Sequence, residues 1–144
     1  VAGKQVSVAD PLLLAELDPH HAQLFSDVAV VQSPEAWRKF AQWVLPGLDC
    51  ANLRAMAKLS RRYLLDPLPV ERGNQLDIPV TIVCGKQDHV TGYMDPERLV
   101  HRYPLMKLCV LEPAGHNVHL EQPEQVLAEL RDWAQRTGGL QERS

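Results

Sequence analysis

The sequence predicts a mixed α/β fold in which parallel strands alternate with helices and the sheet is incomplete. Ile78 to Cys84 and Met106 to Leu111 are short, largely apolar runs, typical of strands covered on both faces in a parallel sheet. Helical patterns follow them, at Asp95-Pro96-Glu97 and at Pro123. Such alternation specifies parallel strands joined by right-handed crossovers. Because stable sheets generally need three or more strands, two confident strands leave this sheet unfinished.

Composition places the chain among globular proteins of one ordinary domain. Its 144 residues are 45% hydrophobic and 23% charged, and no apolar run approaches the roughly 20 residues that span a bilayer. The formal net charge of -3 gives no electrostatic reason to expect nucleic acid or an anionic membrane as a partner. We therefore expect neither.

Cysteine usage favours a reducing, cytoplasmic location. Cys50, Cys84 and Cys109 are odd in number and lack the spacing of a disulfide scaffold, and two of them lie in the predicted strands. No basic segment followed by an apolar run marks a signal peptide in this sequence. We expect a cytoplasmic protein.

Proline and glycine residues between Pro67 and Gly73 divide the chain into two parts. Residues 1–70 form a helical segment, and residues 71–144 form a strand, helix, strand, helix unit. In the first part, Ser33-Pro34 is a helix-start signal, and this helix should stop near Pro46-Gly47. Its apolar stripe contains Trp37, Phe40, Ala41 and Val44.

Three further segments complete the prediction. A second helix should begin near Asp49 and end before Asp66-Pro67, and Val28 to Val31 could be either strand or buried helix. The last helix should run from Pro123 to about Arg136, with a frayed tail from Gly138. The second helix would carry Leu53, Met56, Ala57 and Tyr63 on one side, and the last helix Val126, Leu127, Leu130, Trp133 and Ala134.

An acid and a histidine stand just past the two predicted strands. Asp88 follows the first strand, and His116 follows the second, 28 residues further on. Since adjacent parallel strands lie about 4.8 Å apart, groups at matching strand ends can approach hydrogen-bonding distance. The pair suits a charge system in which a carboxylate fixes an imidazole that takes a proton from a nucleophile. Alternatively, Asp88 is a loop acid that accepts hydrogen bonds from nearby backbone amides.

Two passages together carry a resemblance to a known fold family. They are Ile78-Pro79-Val80-Thr81-Ile82-Val83-Cys84-Gly85-Lys86-Gln87-Asp88 and Gly115-His116-Asn117-Val118-His119-Leu120-Glu121-Gln122-Pro123-Glu124. They resemble the closing segment of the α/β-hydrolase fold family. The resemblance covers residues 78–136 and implies that Asp88 is the triad acid and His116 the catalytic base. It also implies that the chain is the C-terminal part of a mainly parallel α/β-hydrolase sheet, with residues 1–70 forming part of a helical cap.

The family's nucleophile has no counterpart in this sequence. It normally lies on a G-x-S-x-G elbow ahead of the acid and the histidine, together with oxyanion donors. The serines lack the glycine pair of such an elbow; they are Ser7, Ser26, Ser33, Ser60 and Ser144. Cys84 lies inside an apolar strand, which favours burial over reactivity. We therefore expect this chain alone to be inactive, with a Ser, Asp or Cys nucleophile supplied from outside it.

The remaining histidines and aromatic residues have simpler interpretations. His116 and His119 have a spacing that could join one metal, but no acid or cysteine ligand set accompanies them, so no metal or organic cofactor is expected. We expect His20-His21 to be a solvated loop pair. We expect His89 to pack at the loop that carries Asp88, here called the acid loop. The set Trp37, Phe40, Trp43 and Met56 reads as core, although a cap would place some of it over an apolar pocket.

Two functions from different classes remain. The first is the C-terminal portion of a hydrolase acting on a small-molecule ester, lactone, amide or activated carbon–carbon bond. The second is a half-length binding or interaction module derived from such an enzyme, in which case the chemistry is lost. For both functions, we expect that the chain can self-associate through an unpaired sheet edge.

Overall fold

The computed structural model describes residues 3–63 and 77–141 of the chain. Helices form the first of these stretches, and a strand, helix, strand series followed by two helices forms the second. In chain order the elements are α1 (Pro11–Glu16), α2 (Pro19–Val28), α3 (Pro34–Trp43), α4 (Leu45–Asp49), α5 (Leu53–Ser60), β1 (Val80–Gly85), α6 (Met94–Val100), β2 (Met106–Leu111), α7 (Val118–Glu121) and α8 (Pro123–Gln141). The mixed α/β class predicted from the sequence is confirmed.

The sheet consists of β1 and β2, which pair in parallel from Val80 opposite Met106 to Gly85 opposite Leu111. β2 has the bounds that the sequence predicts, whereas β1 begins later than Ile78 and includes Gly85. Every strand residue except Gly85 is only partly buried. Within the described residues the sheet is therefore incomplete, as the sequence indicates.

Polar contacts join α8 to the sheet. The ammonium of Lys107 on β2 lies 2.6 Å from a carboxylate oxygen of Glu129 and 3.2 Å from one of Asp132. Arg136 donates a hydrogen bond to the hydroxyl of Thr81 on β1. The predicted apolar face of α8 is largely exposed instead, including Leu127, Leu130 and Trp133. Periodicity located the helix correctly, and the indole N–H of Trp133 donates to the carbonyl of Pro79, just before β1, at 3.0 Å.

The predicted end of α8 was also too early. The helix passes Arg136 and includes Gly138, where fraying was predicted, and continues to Gln141. The final predicted tail residues, 142–144, lie outside the described residues.

A compact apolar cluster joins the two halves of the chain. Phe25 and Phe40 are each 1% exposed, and their ring centroids lie 5.3 Å apart. The cluster draws on α2, the residue that follows α2, α3, α4 and α7; its members are Phe25, Ala29, Ala36, Phe40, Leu45 and Leu120. Leu120, from the second described stretch, thus packs with helices of residues 3–63.

The ambiguous segment around Val28 to Val31 is part helix and part extended chain. α2 ends at Val28, Val30 is completely buried, and Val31 forms an isolated parallel bridge with Val8. His20 and His21, predicted to lie in a loop, instead occupy the first turn of α2 after its Asp18 cap. The correction for the histidines arises because Asp18-Pro19 starts a helix that the apolar pattern alone did not identify.

Among the following helices, α3 starts where the sequence predicts, whereas the segments after it differ from the prediction. The Ser33 side chain caps α3 by accepting from the backbone N–H of Ala36. The chain does not leave helical structure at Pro46-Gly47, because α4 includes both residues and Pro46 occupies its first turn. α5 begins after an Asn52 cap rather than near Asp49. Its predicted end before Asp66-Pro67 and the division between Pro67 and Gly73 lie outside the described residues.

Much of the predicted core of the helical part is exposed. Every residue of α5 is exposed, including Leu53 at 78% and Met56 at 54%. Of the aromatic set expected in the core, Phe40 is buried and Trp37 packs beside Phe25, but Trp43 is exposed. In the part of the chain that the structure describes, nothing covers the apolar side of α5.

No helix among the described residues is long and apolar enough to cross a membrane.

Candidate active site

The loops that follow β1 and β2 are bonded to each other. The backbone N–H of Lys86 donates to the carbonyl of Leu111, and that of Gln87 donates to the carbonyl of Ala114, both at 2.9 Å. The Gln87 side chain accepts in return from the backbone N–H of Ala114 at 3.0 Å. These bonds extend the pairing of the strands into the segments that carry Asp88 and His116.

Two glycines allow this close approach. A Cβ added to Gly85 would collide with the backbone of Ala114 and Gly115. A Cβ added to Gly115 would lie 2.7 Å from the Cγ1 of the fully buried Val30. Packing thus favours glycine at both positions that precede Asp88 and His116, because a larger residue would meet backbone atoms at Gly85 and the Val30 side chain at Gly115.

The Asp88 carboxylate is held by its own loop. Oδ1 accepts from the backbone N–H groups of Val90 at 2.8 Å and Thr91 at 3.0 Å, and Oδ2 accepts from the Thr91 hydroxyl at 2.8 Å. The side chain is 8% exposed. Burial acts to raise the pKa of Asp88, but these hydrogen bonds and one from His116 outweigh it and hold the pKa below its ordinary value.

His116 meets the same carboxylate. Its Nδ1 lies 3.3 Å from Oδ2 of Asp88, and its side chain is 40% exposed. A neutral imidazole that donates from Nδ1 to a carboxylate keeps the lone pair on Nε2, where it can accept a proton. No described residue is hydrogen-bonded to Nε2 of His116. The structure therefore brings together the two residues singled out in the sequence, and Asp88 also has the loop-bonding role given as the alternative.

Two supporting residues were not identified from the sequence. Thr91 supplies two of the hydrogen bonds to Asp88, and its position three residues after an acid is a recognisable turn pattern. Glu121 accepts from the backbone N–H of Gly115 at 2.5 Å, and also from those of Val30 at 2.8 Å and Val31 at 3.1 Å. No sequence signal connects Glu121 with residues 90 positions away.

The other histidines lie apart from this pair. Nε2 of His89 is 2.8 Å from the carbonyl oxygen of Asp27, which ties the acid loop to α2. His119 is exposed on α7, and His21 lies beside Trp37 with ring centroids 6.4 Å apart. Across the described residues, no three side chains of the metal-ligating types come together.

None of the described serines or cysteines is hydrogen-bonded to His116. Ser26 and Ser60 donate to carbonyl oxygens in their own helices, and Ser33 caps α3. Burial, with smaller contributions from Asp88 and Cys109, raises the pKa of the Cys84 thiol and disfavours the thiolate that a nucleophile needs.

A cavity of about 330 Å³ opens beside the acid loop. Its cations are paired: the Lys86 ammonium lies 2.6 Å from Glu112, and the Arg98 guanidinium lies 3.4 Å from Asp95. The lining residues are Lys86, Asp88, Thr91, Gly92, Tyr93, Met94, Asp95 and Arg98. This cavity therefore reaches Asp88 of the pair, but His116 does not line it.

Comparison with solved structures identifies the fold. The chain is similar to an alpha/beta superfamily hydrolase from Oenococcus oeni PSU-1, with a TM-score of 0.80 and 19% sequence identity. The match covers 96% of this chain and 52% of that one, so the chain spans about half the length of the hydrolase. No protein-family model matches the sequence, and no curated protein matches it significantly. The chain thus has the fold of part of an α/β-hydrolase, as the resemblance of its motifs implied.

Proposed function

We propose that this chain is the C-terminal part of an α/β-hydrolase and supplies the acid and the base of its catalytic triad. The observation that carries the proposal is the contact between Asp88 Oδ2 and His116 Nδ1 at the adjoining ends of two parallel strands. The likeness in fold to a solved hydrolase supports it independently. Asp88 is the orienting acid, and His116 is the general base.

In the first half of the reaction, Nε2 of His116 takes the proton of a nucleophile supplied from outside this sequence as that nucleophile attacks the substrate. Asp88 holds the imidazole by Nδ1 and stabilises the imidazolium cation. Nε2 then gives the proton to the leaving group, and the acyl intermediate remains on the nucleophile. In the second half, Nε2 takes a proton from water, the hydroxide attacks the intermediate, and the proton returns to the nucleophile.

This mechanism requires no metal or organic cofactor. It does not determine which type of bond is cleaved. An ester, lactone, amide or activated carbon–carbon bond fits a serine or cysteine nucleophile; with an aspartate nucleophile, the same acid and base would serve a different reaction, such as dehalogenation or epoxide opening. The exposed apolar side chains of Trp43, Leu53 and Met56 support a cap that covers an apolar part of a small-molecule substrate.

The isolated chain is expected to lack activity. Loss of the nucleophile of such a triad costs on the order of 10⁶-fold in kcat. The test is hydrolysis of short p-nitrophenyl esters by the purified chain, compared with its His116→Ala variant. Both should match the buffer rate. Robust hydrolysis that His116→Ala abolishes would show that a nucleophile lies within this chain.

The second candidate is a half-length interaction module that keeps the fold without the chemistry. The exposed apolar sides of α5 and α8 favour it, since such surfaces commonly meet a partner. The coding sequence immediately upstream of Val1 separates the two proposals. An in-frame segment with strands and a nucleophile elbow supports the hydrolase, whereas a start codon beside Val1 supports the module.

A further inference from the structure

We propose that Glu121 is a positioning residue for His116. Its carboxylate holds the backbone at Gly115 and thereby places the imidazole against Asp88. This inference rests on the proposed function, because it concerns the same acid and base.

Glu121 gathers backbone donors from two distant segments. One carboxylate oxygen accepts from Gly115, and the other accepts from both Val30 and Val31. α7 begins just after the His116 loop and brings Glu121, its last residue, back to the residue before the histidine. Hydrogen bonds to an ionised carboxylate are roughly twice as strong as neutral ones. The bonds from Gly115, Val30 and Val31 to Glu121 therefore restrain these backbone segments strongly.

The position of His116 depends on its backbone more than on its own packing. Its side chain is 40% exposed, and its hydrogen bond to Asp88 is 3.3 Å long, near the upper limit for such a bond. Gly115 lies close to the Val30 side chain, and its backbone N–H donates to the Glu121 carboxylate. A backbone shift on the order of 1 Å at Gly115 would therefore separate the imidazole from Asp88.

Asp88 does not share this dependence. Its carboxylate is held by Val90 and Thr91, which belong to its own loop. Loss of the Glu121 carboxylate should therefore disturb the histidine side of the pair and leave the acid side in place.

The test uses the hydrogen-bonded Nδ1 proton of His116, observed by NMR on the chain labelled with ¹⁵N-histidine at low temperature. Asp88→Asn should greatly weaken or remove this signal, which ties it to the pair. Glu121→Ala should remove it, or speed its exchange with water on the order of tenfold or more, while the amide resonances of β1 and β2 stay in place. Glu124→Gln, on an exposed residue in the first turn of α8, is the matched control and should leave the signal unchanged.

A purely structural role for Glu121 would lower stability without moving this signal in the folded protein. A full-strength Nδ1 proton signal in folded Glu121→Ala would therefore overturn the inference. If the alanine variant does not fold, Glu121→Gln decides, because the amide keeps only one acceptor oxygen and should weaken the signal. A signal that persists in Asp88→Asn would instead contradict the proposed acid–base pair, so the two failures are distinguishable.

Discussion

Asp88 divides its carboxylate between two tasks. Oδ1 is bonded only to the loop backbone, whereas Oδ2 is shared by the Thr91 hydroxyl and His116. A carboxylate fixed in this way presents one oxygen to the imidazole with little freedom to turn. The loop-acid and triad-acid interpretations of this residue are therefore compatible, and one depends on the other.

The lowered pKa of Asp88 predicts an effect of pH on stability. Unfolded aspartate titrates near pH 3.9, and the folded pKa lies below that value, so the ionised carboxylate stabilises the folded chain above about pH 4. That contribution is lost as the pH falls through the folded pKa. Urea unfolding between pH 6 and 3 should show wild type losing its stability advantage over Asp88→Asn as the solution is acidified. An advantage that does not change with pH would contradict this prediction.

Gly85 should tolerate no side chain. In Gly85→Ala the new Cβ would collide with backbone atoms of Ala114 and Gly115, and the loops must separate to accommodate it. We expect a loss of about 1–3 kcal/mol in the free energy of unfolding, measured by urea denaturation. Gly47→Ala is the matched control, since nothing lies within 4 Å of its added Cβ and alanine is the better helix former. Equal effects at the two sites would show that the close approach at Gly85 is not tight.

At the scale of elements, stability should come from α2 and α3 rather than from α5. Phe40→Ala removes a ring that is 1% exposed and should cost about 3–5 kcal/mol in the free energy of unfolding. Leu53→Ala, on the exposed side of α5, should cost less than about 0.5 kcal/mol. Thermal or urea unfolding of both variants checks this. A large loss for Leu53→Ala would mean that α5 is covered in solution.

The sequence predicted elements well where local signals decide. Ser33-Pro34 starts α3 through its own cap, and the apolar run from Met106 to Leu111 is a strand with those bounds. Where distant contacts decide, the sequence left the structure open or led to a wrong expectation. The role of Val31 depends on pairing with Val8, and the exposure of Met56 depends on which surface faces α5. Periodicity identifies a helix side as apolar but does not say what covers it.

The residues of the candidate site likewise divide into those that local motifs identify and those that distant contacts place. Asp88 and His116 could be identified because each lies in a short motif directly after a strand. Glu121 could not, because its function depends on backbone groups of Val30 and Val31 that only the folded chain brings near it. The catalytic roles assigned to Asp88 and His116 stay predictions.

For the whole molecule, the two-stranded sheet predicts self-association. β1 and β2 each pair on one side only within the described residues, and α8 leaves Leu127 and Leu130 exposed. Unpaired edges and exposed apolar surfaces favour association with another chain. Sedimentation velocity over a range of concentrations should show oligomers that grow with concentration. A compact monomer at every concentration would contradict this expectation.

The central claim is that His116 is the base of a hydrolase whose nucleophile lies outside this sequence. The most direct test is the rate of ester hydrolysis by a protein extended with the upstream coding segment, compared with its His116→Ala and His119→Ala variants. The extended protein should be active. His116→Ala should reduce kcat on the order of 10⁶-fold, and His119→Ala, which changes an exposed residue on α7, should leave most of the activity. An extended protein that is inactive, or one that keeps its rate in His116→Ala, would contradict the claim.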